Sequence, residues 1–131
     1  MSNKINNLKE QFRQALISTA KVISDDYKLD VNKIDKKLES KKIDFLDISS
    51  LSSKADFIKL RAESDSVALK KKFSNRRIYN KNEPDSPSSK SLYKIAEKIR
   101  YEVLGKKMLK GIGKNLSENY NQKIASTRKD Q

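Results

Sequence analysis

Apolar residues recur at three- and four-residue steps along four segments of this chain, a spacing that sets them on helical stripes and directs the chain to a mainly α, four-helix-like fold. Ile5, Leu8, Phe12, Ala15, Leu16, Ala20 and Ile23 define a first helix over about residues 4–24. A second is expected from about 54 to 80, with Phe57, Leu60, Ser64, Val67, Ala68 and Lys71 along one side. Ser53 and Asp56 have the spacing of a capping box at its start. Leu92, Ile95, Ala96, Ile99 and Val103 form the clearest stripe, over about 88–110, behind a Ser86–Pro87 start signal. Leu109, Ile112, Leu116, Tyr120 and Ile124 carry the last helix, with Gly111 and Gly113 positioned to permit a bend or close packing.

Between the first two helices the rhythm changes. Leu29 and Val31 alternate with polar residues, as do Ile43 and Phe45, and this period of two predicts short strands that can pair as a β-hairpin. Residues 1–131 are long enough for a single helical domain with one modest core.

The residues that are missing narrow the chemistry. Without cysteine there is neither a disulfide nor a thiolate site, and without histidine the commonest metal ligand and near-neutral proton carrier is lost. The longest apolar run is Ala15–Ile17, against roughly 20 residues for a membrane span, and the N-terminus lacks a signal-peptide core. A cytoplasmic chain that does not act on membranes is expected.

Charge is distributed unevenly. The net charge is +13, of which residues 1–53 carry +2 and residues 54–131 carry +11. That skew suits an anionic partner, although 24 lysines against 6 arginines, with abundant Ile and Asn, also fit the residue bias of an AT-rich genome. Lys70, Lys71, Lys72, Arg76, Arg77 and Lys81, interleaved with Phe73 and Tyr79, form the candidate basic surface. As a nucleic-acid site it would combine phosphate contacts with two stacking rings, yet it matches no established nucleic-acid motif, and a solvated or protein-binding face competes with that reading. GIGKN resembles a phosphate loop, but Met108 stands where the first glycine belongs and Asn115 where Ser or Thr is needed. Asp65, Glu97 and Glu102 suggest local pairs, Arg61 with Asp65 and Glu97 with Arg100, more readily than a catalytic carboxylate dyad.

RAESDSVAL at 61–69, Pro84, YKIAEKIRYEVLG at 93–105, Gly111, Asn115 and Leu116 together form a specific combination. Through them the chain from Arg61 to Tyr120 resembles the N-terminal domain of the T subunit (CobT) of the aerobic, cobalamin-pathway cobaltochelatase. FRQALISTAKVISDD followed by YKLDV is similar to that domain's opening helix and extended segment.

The resemblance implies a place in an ATP-dependent complex that inserts cobalt into hydrogenobyrinic acid a,c-diamide, beside an AAA+ ATPase subunit and a large chelatase subunit. ATP, magnesium and cobalt belong to the whole complex, and no catalytic, cofactor-binding or metal residue is expected in this chain. In the family an acidic stretch and a von Willebrand factor A domain with a DxSxS motif follow, and these 131 residues contain no DxSxS. Family members place histidines where this chain has Ser74, Asn75 and Tyr79, so a cobalt-carrying role for those positions is not carried over. Arg61, Asp65, Glu97, Arg100 and Glu102 are the positions expected to shape the domain or its contact surface, with salt bridges that merely hold the fold as the competing role. The basic half is expected to meet the acidic stretch of its own full-length chain or an acidic face of the ATPase ring. A small nucleic-acid-binding protein is the alternative.

Overall fold

The computed structural model describes residues 2–25 and 53–129, which form five helices and, among the described residues, no strand. These are α1 (Ser2–Ser24), α2 (Lys54–Phe73), α3 (Arg76–Lys81), α4 (Pro87–Met108) and α5 (Lys110–Lys129). The expected hairpin at 27–48 lies outside the described residues. None of the described helices is long and apolar enough to cross a membrane.

α2 is the centre of the arrangement, in contact with α1, α4 and α5, while α4 also packs on α5. Its sequence explains that position: Ala62, Ser64, Ser66 and Ala68 are small and buried, so neighbouring helices approach it on several sides. The main core joins Ala20, Ile23, Ala62, Ala68, Leu69, Tyr101, Ile112 and Leu116, with Phe73 against it. Leu16 and Leu60 form a second cluster under Phe12. The Phe12 ring meets Phe57 edge-on at 4.9 Å, a favoured aromatic geometry.

Both expected start signals are formed. The Ser53 side chain accepts from the Asp56 amide while the Asp56 carboxylate accepts from the Ser53 amide. Ser86 accepts from the Ser89 amide at 3.2 Å, and Pro87 occupies the first turn.

The single helix expected over 54–80 is instead two. Ser74 adopts an extended conformation and ends α2, and the Asn75 side chain accepts from the amides of Arg77 and Ile78 to start α3. A short side chain that can satisfy two otherwise orphaned amides makes a restart cheaper than continuation. Tyr93 of α4 fixes the new segment by donating to the Tyr79 carbonyl at 2.9 Å, with the two rings 4.6 Å apart.

The bend between α4 and α5 falls on Leu109, which is extended, rather than on either glycine. Gly111 and Gly113 lie in the first turns of α5, and Gly113 is buried.

Candidate functional site

α4 has two faces of unexpected character. The face turned to α2 and α5 carries Tyr101, Glu102 and Gly105, all buried. The adjoining face carries the strongest apolar stripe of the sequence, and it is exposed: Leu92 is 68%, Ile95 55%, Ile99 56% and Val103 44% exposed. The buried side of α4 thus holds one carboxylate beside an aromatic ring and a glycine, while its aliphatic row stays outside, the reverse of the usual surface helix.

The interior polar groups form one junction of three helices. Glu102, 7% exposed, accepts from the Ser66 hydroxyl of α2 and the Tyr120 hydroxyl of α5, each at 2.7 Å. Lys98 lies 4.0 Å from the same carboxylate. Burial, reinforced by the bond to Glu102, pushes the Tyr120 phenol well above its ordinary range, so it stays a donor. Asp65, 2% exposed, accepts from Asn115 of α5 at 2.8 Å. Among the described residues no buried side-chain nitrogen or oxygen lacks a partner, so the junction is a fully satisfied polar network of the kind that fixes one helix arrangement.

Burial pushes the Asp65 carboxyl up, against the opposing pull of the Asn115 hydrogen bond and the Arg61 charge. A raised carboxyl pKa means the folded chain holds the proton more tightly than the unfolded chain. The resulting cost is absent below the unfolded pKa and sets in as pH rises through the folded one. Asp65→Asn keeps an acceptor for Asn115 and removes the buried charge. It is expected to stabilise at pH 7, with the gain fading as pH falls through the carboxyl range. Urea denaturation at pH 4 and pH 7 checks this, and a loss of stability at pH 7 would show the charge to be the better occupant.

The other singled-out residues take different places. Arg61 is exposed and reaches Asp65 through its field, the carboxylate hydrogen bond going to Asn115. Arg100 grips Glu97 with two hydrogen bonds, at 2.9 and 2.7 Å, and also donates to the Phe73 carbonyl at 2.7 Å. That last bond satisfies an end carbonyl of α2 from another helix. The Arg100 bond holds Glu97 below the usual carboxylate range.

The six basic residues do not share one face. Lys72 pairs with Asp25 at the end of α1, and the charge of Lys70 reaches Glu97. Arg76, Arg77 and Lys81 lie exposed on the separate helix α3. Phe73 packs against the core and Tyr79 against Tyr93, so both rings available for base stacking are engaged within the fold.

Ser66, Asn115 and Tyr120 complete the junction and were not among the site residues chosen from sequence. The signal for all three was their place in the segment bearing the family resemblance, Ser66 within RAESDSVAL and Tyr120 also on the last apolar stripe. A cleft of about 230 Å³ beside the junction, lined by Phe12, Phe57, Ile58, Arg61 and Asn115 among others, joins residues too distant in sequence for any local pattern to reveal.

Among the described residues no three carboxylates are grouped to hold a metal ion. No curated protein and no solved structure matches the chain. The family of the cobalamin biosynthesis protein CobT does match, over residues 6–131, and the chain belongs to it.

Proposed function

We propose that this chain is a non-catalytic subunit domain of an ATP-dependent cobaltochelatase, the complex that inserts cobalt into hydrogenobyrinic acid a,c-diamide during cobalamin biosynthesis. The single observation that carries the reading is the match to the CobT family along residues 6–131. In this reading the domain works by docking in the cytoplasm to an AAA+ ATPase subunit and a large chelatase subunit, with cobalt as the substrate of the assembly. ATP and magnesium belong to the ATPase.

The surface supports docking chemistry. An outward aliphatic stripe and a set of exposed cations are what association uses, the first for burial and the second for steering. Nucleic acid fits less well, because the two rings that could stack on bases are partly buried and already packed against other side chains of the fold.

Co-purification of the full chain with an AAA+ subunit tests the proposal. Retention is expected to strengthen with ATP and to decline steeply between about 0.05 and 0.5 M salt, as the screening length shortens from above 10 Å to below 5 Å. Cobalt insertion by the chain alone, or DNA affinity that survives physiological salt with no retention of the ATPase, would overturn it.

A further inference from the structure

We propose that the corner where α4 turns into α5 is a docking point for an acidic peptide segment of a partner protein, one that carries aliphatic side chains among its carboxylates. The inference rests on the docking reading above only in requiring a protein partner.

Lys106, Lys107, Lys110 and Lys114 crowd this corner, and all four are exposed. Two come from the last turn of α4 and two from the first turns of α5. Packing brings them together across the bend: the Lys106 stem lies over Gly113, its Cγ 2.7 Å and its Cδ and Cε 3.3 Å from where a β-carbon at 113 would sit. Lys110 and Lys114 are one helical turn apart on the same side of α5. No acidic residue occurs from 103 to 117. Of the flanking carboxylates, Glu102 is buried in the junction with Ser66 and Tyr120, and Glu118 lines the cleft beside Arg61. Among the described residues, none of the four lysines makes a salt bridge.

The needs of the fold explain only half of this cluster. Lys106 and Lys107 stand at the negative end of α4, a placement that helices favour. Lys110 and Lys114 do the reverse, adding positive charge at the positive end of α5, whose first turn holds no acidic residue. With Lys106 laid over Gly113, next to Lys114, like charges are also gathered where they repel one another. An anionic partner turns both costs into attraction.

What lies between the lysines selects the anion. Met108 and Leu109 are 39% and 44% exposed, so two aliphatic side chains sit amid four cations. A peptide with leucine among carboxylates answers both. A nucleic-acid strand would find no aromatic ring from 103 to 117 to stack on, and no arginine fork for its phosphates. A lipid surface seats an apolar face about 5–10 Å deep, and side chains already more than half covered do not reach that far. A second copy of the chain, also at +13, is repelled.

Fluorescence anisotropy on the full chain tests this with a labelled synthetic peptide of about ten residues, in which glutamates and aspartates alternate with leucines. The competing probes are the same peptide with Gln and Asn for its acids, vesicles of phosphatidylcholine with phosphatidylserine, and a DNA strand of about 20 nucleotides. The acidic peptide is expected to bind, and to weaken about tenfold between about 0.05 and 0.3 M salt. With serine in place of leucine it is expected to lose about threefold or more.

Lys110→Glu separates the partner from the fold. It is expected to weaken the acidic peptide about fivefold or more, yet to raise the melting temperature by about 2 °C. A carboxylate there meets the positive end of α5 and stands four residues before Lys114. Arg77→Glu makes the same change of net charge on α3, which meets α4 at Tyr93, about 20 Å from Lys106 along the helix. It is expected to leave the affinity for the peptide within about twofold.

Absence of binding by the acidic peptide, or equal binding of the uncharged one, overturns the proposal. So does a loss with Arg77→Glu equal to that with Lys110→Glu, which would make net charge alone the cause. Preference for the vesicles or the DNA over the peptide overturns it too, as does a fall in melting temperature with Lys110→Glu, which would give the lysine a place in the fold. Full retention of the ATPase by Lys110→Glu/Lys114→Glu overturns this assignment of the surface while leaving the docking reading intact. Peptide binding that Lys110→Glu abolishes, in a chain that retains no ATPase, sinks that reading and supports this one.

Discussion

Glu102→Ala is expected to destabilise the fold by about 3 kcal/mol, measured as the shift in urea unfolding free energy. Three helices meet at this carboxylate. Truncation leaves the Ser66 hydroxyl of α2 and the Tyr120 hydroxyl of α5 without the acceptor each now reaches at 2.7 Å. The Glu102 side chain is 9% and Ser66 8% exposed, so water cannot readily replace the carboxylate there and the Ser66 hydroxyl bears most of its desolvation penalty, while Tyr120, 40% exposed, bears less. Lys98 adds little, being 4.0 Å away and nearly half exposed.

Glu102→Gln separates hydrogen bonding from charge. The amide keeps one acceptor oxygen and presents an NH2 to the other hydroxyl, which can turn to accept, so a loss of about 1 kcal/mol is expected. A double-mutant cycle with Tyr120→Phe should show a coupling of about 1 kcal/mol or more. If Glu102→Ala unfolded at the same urea concentration as the parent chain, the junction would be an incidental contact and the account of α4 orientation would fail.

That orientation is where sequence reading and structure part. Periodicity located α4 to within about two residues at its ends, because the spacing of Leu92, Ile95, Ile99 and Val103 admits only a helix. Periodicity carries no sign, however. It cannot tell a stripe turned to the core from one turned outward, and here the core side went to Tyr101, Gly105 and Glu102, a carboxylate whose partners lie 18 and 36 positions away. Caps were legible because they are local: Ser53 with Asp56 and Ser86 with Pro87 satisfy amides within one turn. The break at Ser74 and Asn75 was also local but hidden by the basic run around it, since lysine and arginine favour helix and mask the asparagine that stops it.

The candidate site divides along the same line. Pairing of Glu97 with Arg100 follows from a three-residue spacing. The second bond of Arg100, to Phe73 across 27 positions, does not. Asp65 and Arg61 have the spacing of an ion pair, yet the carboxylate hydrogen bond went to Asn115, 50 positions on, because Asp65 points inward where α5 passes and Arg61 remains in solvent. Tertiary burial outranked helical spacing.

Gly105→Ala provides the sharpest test of how closely α4 approaches α2. In an ordinary helix interior this change stabilises by about 1 kcal/mol, since alanine loses less backbone entropy. Here the added methyl would overlap both terminal methyls of Leu69 and lie 2.9 Å from its Cγ. Leu69 is fully buried in the main core, with no solvent direction in which to yield. Overpacking of this severity costs about 3 kcal/mol, which exceeds the helical gain and reverses the sign. The expected net effect is a destabilisation of about 2 kcal/mol, with a melting temperature lowered by roughly 8 to 12 °C for a domain of this size.

Leu69→Ala alone should cost about 3 kcal/mol through the cavity it opens. Combined with Gly105→Ala it should cost less than the two changes added, because the alanine methyl at 105 enters the space the leucine vacates, and the shortfall measures their contact. Stabilisation by the full propensity gain would place α4 farther from α2, with a glycine at 105 not required by packing.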